Sequence, residues 1–104
     1  MFTTSFGTTY YNPNQIQDGT FHKKVKSSKH YFKLYNAWGM GLDTLEELQA
    51  NGVEYIEIYD TEEKITYRTT VEKFLTKGIS GSFGKAGSQK FLPIMPSNYT
   101  TTQE

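Results

Sequence analysis

The chain has 104 residues, no cysteine, and a net charge of zero from 11 basic and 11 acidic residues. That excludes a disulfide framework, thiol catalysis and cysteine-ligated zinc or iron–sulfur sites. No apolar run approaches the roughly 18 residues of a membrane span. The length is that of one domain able to bury a core without staples, and with 36% apolar but 15% aromatic residues a few large side chains must fill that core.

The absence of cysteine favours a reducing compartment. The opening MFTTSFGTTYYN has neither a basic stretch nor a long apolar stretch, so it does not read as a secretory signal. The expectation is a soluble, cytoplasmic protein with no membrane association. Its charges are segregated. Lysines crowd residues 23–33, acidic residues crowd 43–63, and the second half turns basic again. Such asymmetry suits opposed binding faces, or neighbouring elements that pair their charges on the surface.

Residues 1–19 show no periodicity, and Asn12-Pro13-Asn14 and Asp18-Gly19 are turn chemistry. They read as an irregular N-terminal arm whose Phe2, Phe6, Tyr10 and Tyr11 suit docking on the domain or on a partner. Residues 20–96 form the single domain. Residues 20–26 and 29–35 read as two strands joined at Ser27-Ser28, with Phe21, Lys23 and Val25 sharing one face of the first. On the second, Phe32 and Leu34 face the core, opposite Tyr31, Lys33 and Tyr35. Residues 36–41 (NAWGMG) read as a glycine-flanked loop carrying the sole tryptophan, Trp38, and Met40.

A helix follows. Asp43 and Glu46 have capping-box spacing, Leu45 and Leu48 form the buried stripe, and Gly52 is the C-terminal glycine. Residues 53–71 (VEYIEIYDTEEKITYRTTV) then give the clearest signal in the chain, a β-hairpin. Ile56 and Ile58 alternate with Tyr55, Glu57 and Tyr59, and Ile65, Tyr67 and Thr69 alternate with Thr66, Arg68 and Thr70. Asp60-Thr61-Glu62-Glu63 lacks Gly and Asn, which predicts a loop of about four or five residues in place of a two-residue turn. Thr69 and Glu72 mark the start of a second, shorter helix with a Val71, Phe74, Leu75 stripe, stopped by Gly78. Residues 79–88 (ISGSFGKAGS) read as a glycine-rich loop. Residues 89–95 (QKFLPIM) read as a last strand, set at an edge by Pro93, and 97–104 as a polar tail. The order β-β-α-β-β-α-β predicts an α+β fold, a small mostly antiparallel sheet with two short helices on one face.

The motifs for chemistry are sparse. Gly78, Gly81, Gly84 and Gly87 surround Lys85, but Ile79 and Ala86 stand where a phosphate-binding loop needs glycine and a hydroxyl, and the segment follows a helix. His22 and His30 lie among lysines, which disfavours a cation. No nucleophile, base and orienting group can be named together. The reading is therefore non-enzymatic, without cofactor or metal.

Two binding readings remain. The first is a protein-interaction module, with self-association included, resting on Tyr10, Tyr11, Trp38, Met40, Phe83 and Lys85 as interface candidates and on an acidic face around Glu54, Glu57 and Asp60. Core packing is the competing fate of Trp38. The second is single-stranded nucleic-acid binding through Lys23, Lys24, Lys26, Lys29, Tyr31, Lys33 and Tyr35, extended by Arg68 and Lys90 if their strands are neighbours. Zero net charge weighs against it, since such binders are usually basic.

The cadence VEYIEIYDTEEKITYRTTVEKFLTKG followed by SFGKAGSQKFLPI resembles small proteins of phages, plasmids and their bacterial hosts. The resemblance covers about half to two-thirds of the chain, and its motif is low in specificity. It carries over no functional residue. It implies an accessory role in a mobile element, such as an inhibitor of a host defence nuclease or a partner of a replication protein.

Overall fold

A computed structural model of the chain describes residues 12–25, 37–82 and 88–103. After a 3-10 turn, Pro13–Gln15, come β1 (Ile16–Gln17), β2 (Thr20–Val25), β3 (Ala37–Gly41), helix α1 (Leu42–Ala50), β4 (Tyr55–Asp60), β5 (Ile65–Thr70), helix α2 (Val71–Lys77), β6 (Ile79–Ser82), β7 (Ser88–Pro93) and β8 (Thr100–Gln103). They build a five-stranded sheet in the order β1-β2-β4-β5-β8 and a three-stranded sheet in the order β3-β7-β6. The fold is α+β and mostly antiparallel, as the strand and helix periodicities predict. Among the described residues only β2 and β4 run parallel. A parallel pair needs a crossover, and here β3 and α1 lie between the two strands.

The predicted hairpin is the centre of the larger sheet. Ile58 faces Tyr67 and Ile56 faces Thr69 across β4 and β5, and all four are buried. The connecting loop has four residues, 61–64. Asp60 holds it: its carboxylate accepts from the backbone N–H of Glu62 at 3.0 Å and of Glu63 at 3.2 Å. The other turn foreseen from composition is tighter. Asp18 and Gly19 take φ of 52° and 74° between paired Gln17 and Thr20, the two positive angles that a two-residue primed hairpin turn requires. Gly52, at φ 80°, ends α1 as expected.

The core lies between the inner face of the five-stranded sheet and a layer made of the helices and the smaller sheet. Phe21, Ile56, Ile58 and Tyr67 pack there with Trp38, Met40, Leu45, Leu48, Phe74, Leu92 and Tyr99. Trp38 meets Tyr67 edge-on at 5.3 Å, and Tyr67 meets Tyr99 edge-on at 5.9 Å. Such crossed aromatic pairs are favourable beyond their buried area.

Several expectations change. Residues 37–41 are a strand, β3, paired to β7 and buried along most of its length, so they are not a loop. β7 is flanked by β3 and β6 and is the central strand of its sheet. Pro93 is tolerated because it is the last residue of that strand, where a missing N–H interrupts little. Part of the glycine-rich segment, Ile79–Ser82, is strand β6, and the polar tail contributes β8, which pairs with β5 from Arg68–Thr100 to Ile65–Gln103. The N-terminal arm includes β1. Helix α1 starts two residues earlier than its capping signal, with Gly41 as an N-cap that makes no side-chain bond and Asp43 inside the first turn. Helix α2 is capped by Thr70, whose hydroxyl accepts from the N–H of Lys73 at 3.1 Å, while Thr69 is buried in the sheet. The predicted strand 29–35 lies outside the described residues.

Candidate functional site

Period-two alternation gives the five-stranded sheet a second face. On β2, β4 and β5 it carries His22, Lys24, Tyr55, Glu57, Tyr59, Thr66, Arg68 and Thr70, half-buried except for exposed Lys24. The register aligns them in cross-strand rows. His22 faces Glu57, Glu57 faces Arg68, and Arg68 faces Thr100. Lys24 faces Tyr59, Tyr59 faces Thr66, and Thr66 faces Thr102. Directly opposed side chains are close enough to interact, and the first row does. The Glu57 carboxylate pairs with His22 Nδ1 at 3.3 Å and with Arg68 Nη1. The Arg68 guanidinium also lies 4.2 Å from the centre of the Tyr55 ring, a cation–π contact. Glu57 and Tyr55 thus fix Arg68 from two directions, and its remaining N–H groups are free to bond elsewhere.

Among the described residues this face ends in β8, the outermost strand of the sheet. Thr100, Thr101, Thr102 and Gln103 are all exposed and uncharged. An edge strand usually carries lysine, proline or a bulge that discourages pairing with another chain. β8 has none of the three residue-level defences within its span.

Beside the Arg68 end of the first row lies a cleft of about 150 Å³. Tyr55 from β4, residues 68–70 from β5, Lys73 from α2 and residues 96–100 line it. Lys73 Nζ donates to the Ser97 carbonyl at 3.1 Å, which ties the helix to the segment that leads into β8. Asn98 donates to the Pro93 carbonyl at 2.9 Å and the Tyr99 hydroxyl to the Leu92 carbonyl at 3.1 Å, which hold that segment against β7. Burial, and then the neighbouring Tyr67, push the Tyr99 phenol well above its ordinary pKa of 10.0.

The predicted site residues separate. Lys24 and Arg68 are on the outer face. Lys23 is not: it shares the inner face with Phe21 and Val25, opposite Ile58. Burial there lowers its ammonium pKa from 10.5 to about 8. Lys90 lies on β7, in the other sheet from Arg68, with Nζ donating to Ser80 Oγ at 2.9 Å. It therefore does not extend a platform with Arg68. Trp38 and Met40 are 1% and 0% exposed, so they are core side chains and not interface anchors. Asp60 leaves the proposed acidic face as well, since it is on the same side of β4 as Ile56 and Ile58 and is fully buried. Lys26, Lys29, Tyr31, Lys33, Tyr35, Tyr10, Tyr11, Phe83 and Lys85 lie outside the described residues.

Sequence reasoning passed over Tyr55 and Tyr59 as binding residues, although parity along β4 already set them beside Glu57. Lys73 and Ser97 carried no sequence signal, because only the return of the chain after β7 brings them together.

Among the described residues, no group of three or more His, Asp or Glu side chains is placed to share a metal ion. Among them too, no helix is long and apolar enough to cross a membrane. No family model matches the chain, and neither a curated protein nor a solved structure matches it.

Proposed function

We propose that this is a non-enzymatic accessory or regulatory protein that acts in the cytoplasm by binding a protein partner, self-association included. The observation that carries this reading is the outer face of the five-stranded sheet. It combines Tyr55, Tyr59 and an already ordered Arg68 with the uncharged strand β8, which is an edge among the described residues. Tyrosine and arginine are favoured interface anchors, and side chains ordered before contact lose less freedom on binding. An open edge adds main-chain hydrogen bonds to a docked strand. The resemblance to phage and plasmid proteins supports placing the role in a mobile element, with inhibition of a host system as one form of it.

Single-stranded nucleic acid is the alternative ligand. The pairing of Lys24 with Tyr59, next to Arg68 on Tyr55, favours it, because a cation beside an aromatic ring suits a phosphate and its base. Glu57 opposes it. A carboxylate between His22 and Arg68 sets negative charge in the middle of the row along which a phosphate backbone would run.

Affinity capture separates the two readings. Tagged wild type, Tyr59→Arg and Lys24→Glu are used as baits in lysates with and without nuclease, and captured proteins are identified by mass spectrometry. The protein reading expects a partner that survives nuclease, is kept by Lys24→Glu and is lost by Tyr59→Arg. Capture that disappears with nuclease or with Lys24→Glu transfers the function to nucleic acid. Capture unaffected by Tyr59→Arg removes this face from the interaction.

A further inference from the structure

The cleft beside Arg68 has a chemistry of its own. Its described lining includes two cations, Arg68 and Lys73, and no carboxylate. It also brings together the hydroxyl-bearing residues Thr69, Thr70 and Ser97 beside the Tyr55 ring. Glu57, opposite Arg68 across β4 and β5, does not line it and pairs with His22 and Arg68.

Two features make this more than a patch of positive charge. Arg68 is ordered in advance by Tyr55 and Glu57, and a guanidinium so held keeps further N–H groups for an incoming oxyanion. Lys73 gives one N–H to the Ser97 carbonyl and retains two.

Size narrows the ligand. A cleft of about 150 Å³ is below the roughly 300–1,000 Å³ of sites that enclose a drug-sized molecule. It has room for one terminal group. The donors come from a strand, a helix and the segment before β8, so they approach from several directions. That suits a tetrahedral oxyanion better than a flat carboxylate, which one arginine fork satisfies in a plane. We propose that the cleft is a binding site for a phosphate monoester group, with Arg68 and Lys73 as its charged ligands. The proposal does not depend on the partner-binding reading.

The test is a ¹⁵N NMR titration of the full chain with inorganic phosphate, against chloride and acetate at matched ionic strength and pH. Saturable shifts are expected at the amides of Thr70, Lys73 and Ser97, with phosphate favoured at least tenfold over acetate. Lys73→Gln and Arg68→Gln are each expected to weaken binding by about tenfold, and Lys77→Gln, at an exposed lysine outside the lining, to leave it unchanged. Ser97→Glu puts a carboxylate on an exposed lining residue without touching the core, and is expected to abolish binding in a folded protein. Equal shifts with chloride, acetate binding as tightly as phosphate, or phosphate binding that survives Ser97→Glu would each overturn the site. A phosphoserine peptide and ribose 5-phosphate distinguish the source of the group. Preference for the peptide identifies a phosphorylated protein segment, and equal affinity identifies a free phosphate ester.

Discussion

The two faces of β2, β4 and β5 are built from alternate residues of the same strands, yet they differ in kind. The inner row of Phe21, Ile56 and Thr69 is buried and contributes to cohesion. One residue along, the row of His22, Glu57 and Arg68 is half-exposed and joined by charge. Because alternation has period two, a substitution at one position tests stability and its neighbour tests recognition. Lys23 breaks this division, as a charged side chain on the inner face.

The largest effect is expected from the inner face. Ile58 is 1% exposed, so Ile58→Ala removes buried methyl groups and leaves a cavity. It should lower unfolding free energy by about 2–5 kcal/mol in urea denaturation. A loss below about 1 kcal/mol would mean that this face is not the core.

Lys23 sharpens the comparison through pH. Its folded pKa of about 8 lies below the ordinary 10.5. Below pH 8 both states are protonated, and the native state bears the desolvation cost of the Lys23 charge. As pH rises from about 8, the native state loses the proton first, the unfolded state holds more protons, and stability rises. Tyr99 acts in the opposite sense above pH 10, where its unfolded phenol ionises before the buried one. The clean window is therefore pH 8 to 10. Wild type should gain stability across it, on the order of 1–3 kcal/mol, and Lys23→Met should show a flatter profile in thermal melts at stepped pH. Parallel profiles would sink this reading of Lys23.

The smallest effect belongs to the outer face. Glu57→Gln removes the charge that pairs with His22 and Arg68, both of which keep substantial exposure. Solvent screens such pairs, and the expected loss is below about 1 kcal/mol. A double-mutant cycle with Arg68→Gln measures it. A loss as large as that of Ile58→Ala would abolish the distinction between the faces.

How far the fold was legible depended on whether its cause was local. The β4–β5 hairpin could be read because Ile56 and Ile58 alternate with Glu57 and Tyr59, and Ile65 and Tyr67 with Thr66 and Arg68. The Asp18-Gly19 turn could be read because its residue types tolerate positive φ. Strand β3 could not, because Ala37, Trp38, Gly39 and Met40 are all buried and no alternation survives. β6 and β8 carry the bland sequences ISGS and TTTQ, and their partners in the sheets define them. The acidic cluster misled for a similar reason: parity along β4 puts Asp60 with the isoleucines, and its charge drew attention away from that. In the candidate site, the Tyr55–Glu57–Arg68 face followed from alternation. The cleft did not, since Tyr55, Lys73 and Ser97 meet only once the chain has folded back after β7.

The parallel contact between β2 and β4 also has a kinetic meaning. β4 and β5 meet through a four-residue loop, whereas β2 reaches β4 only after the chain has passed through β3 and α1. Closing the longer connection costs more chain entropy before any contact rewards it. The hairpin is therefore the natural nucleus of folding, and β2 is a late arrival. Side chains of β2 then govern chiefly how fast the native protein unfolds, and those of β4 and β5 how fast it forms.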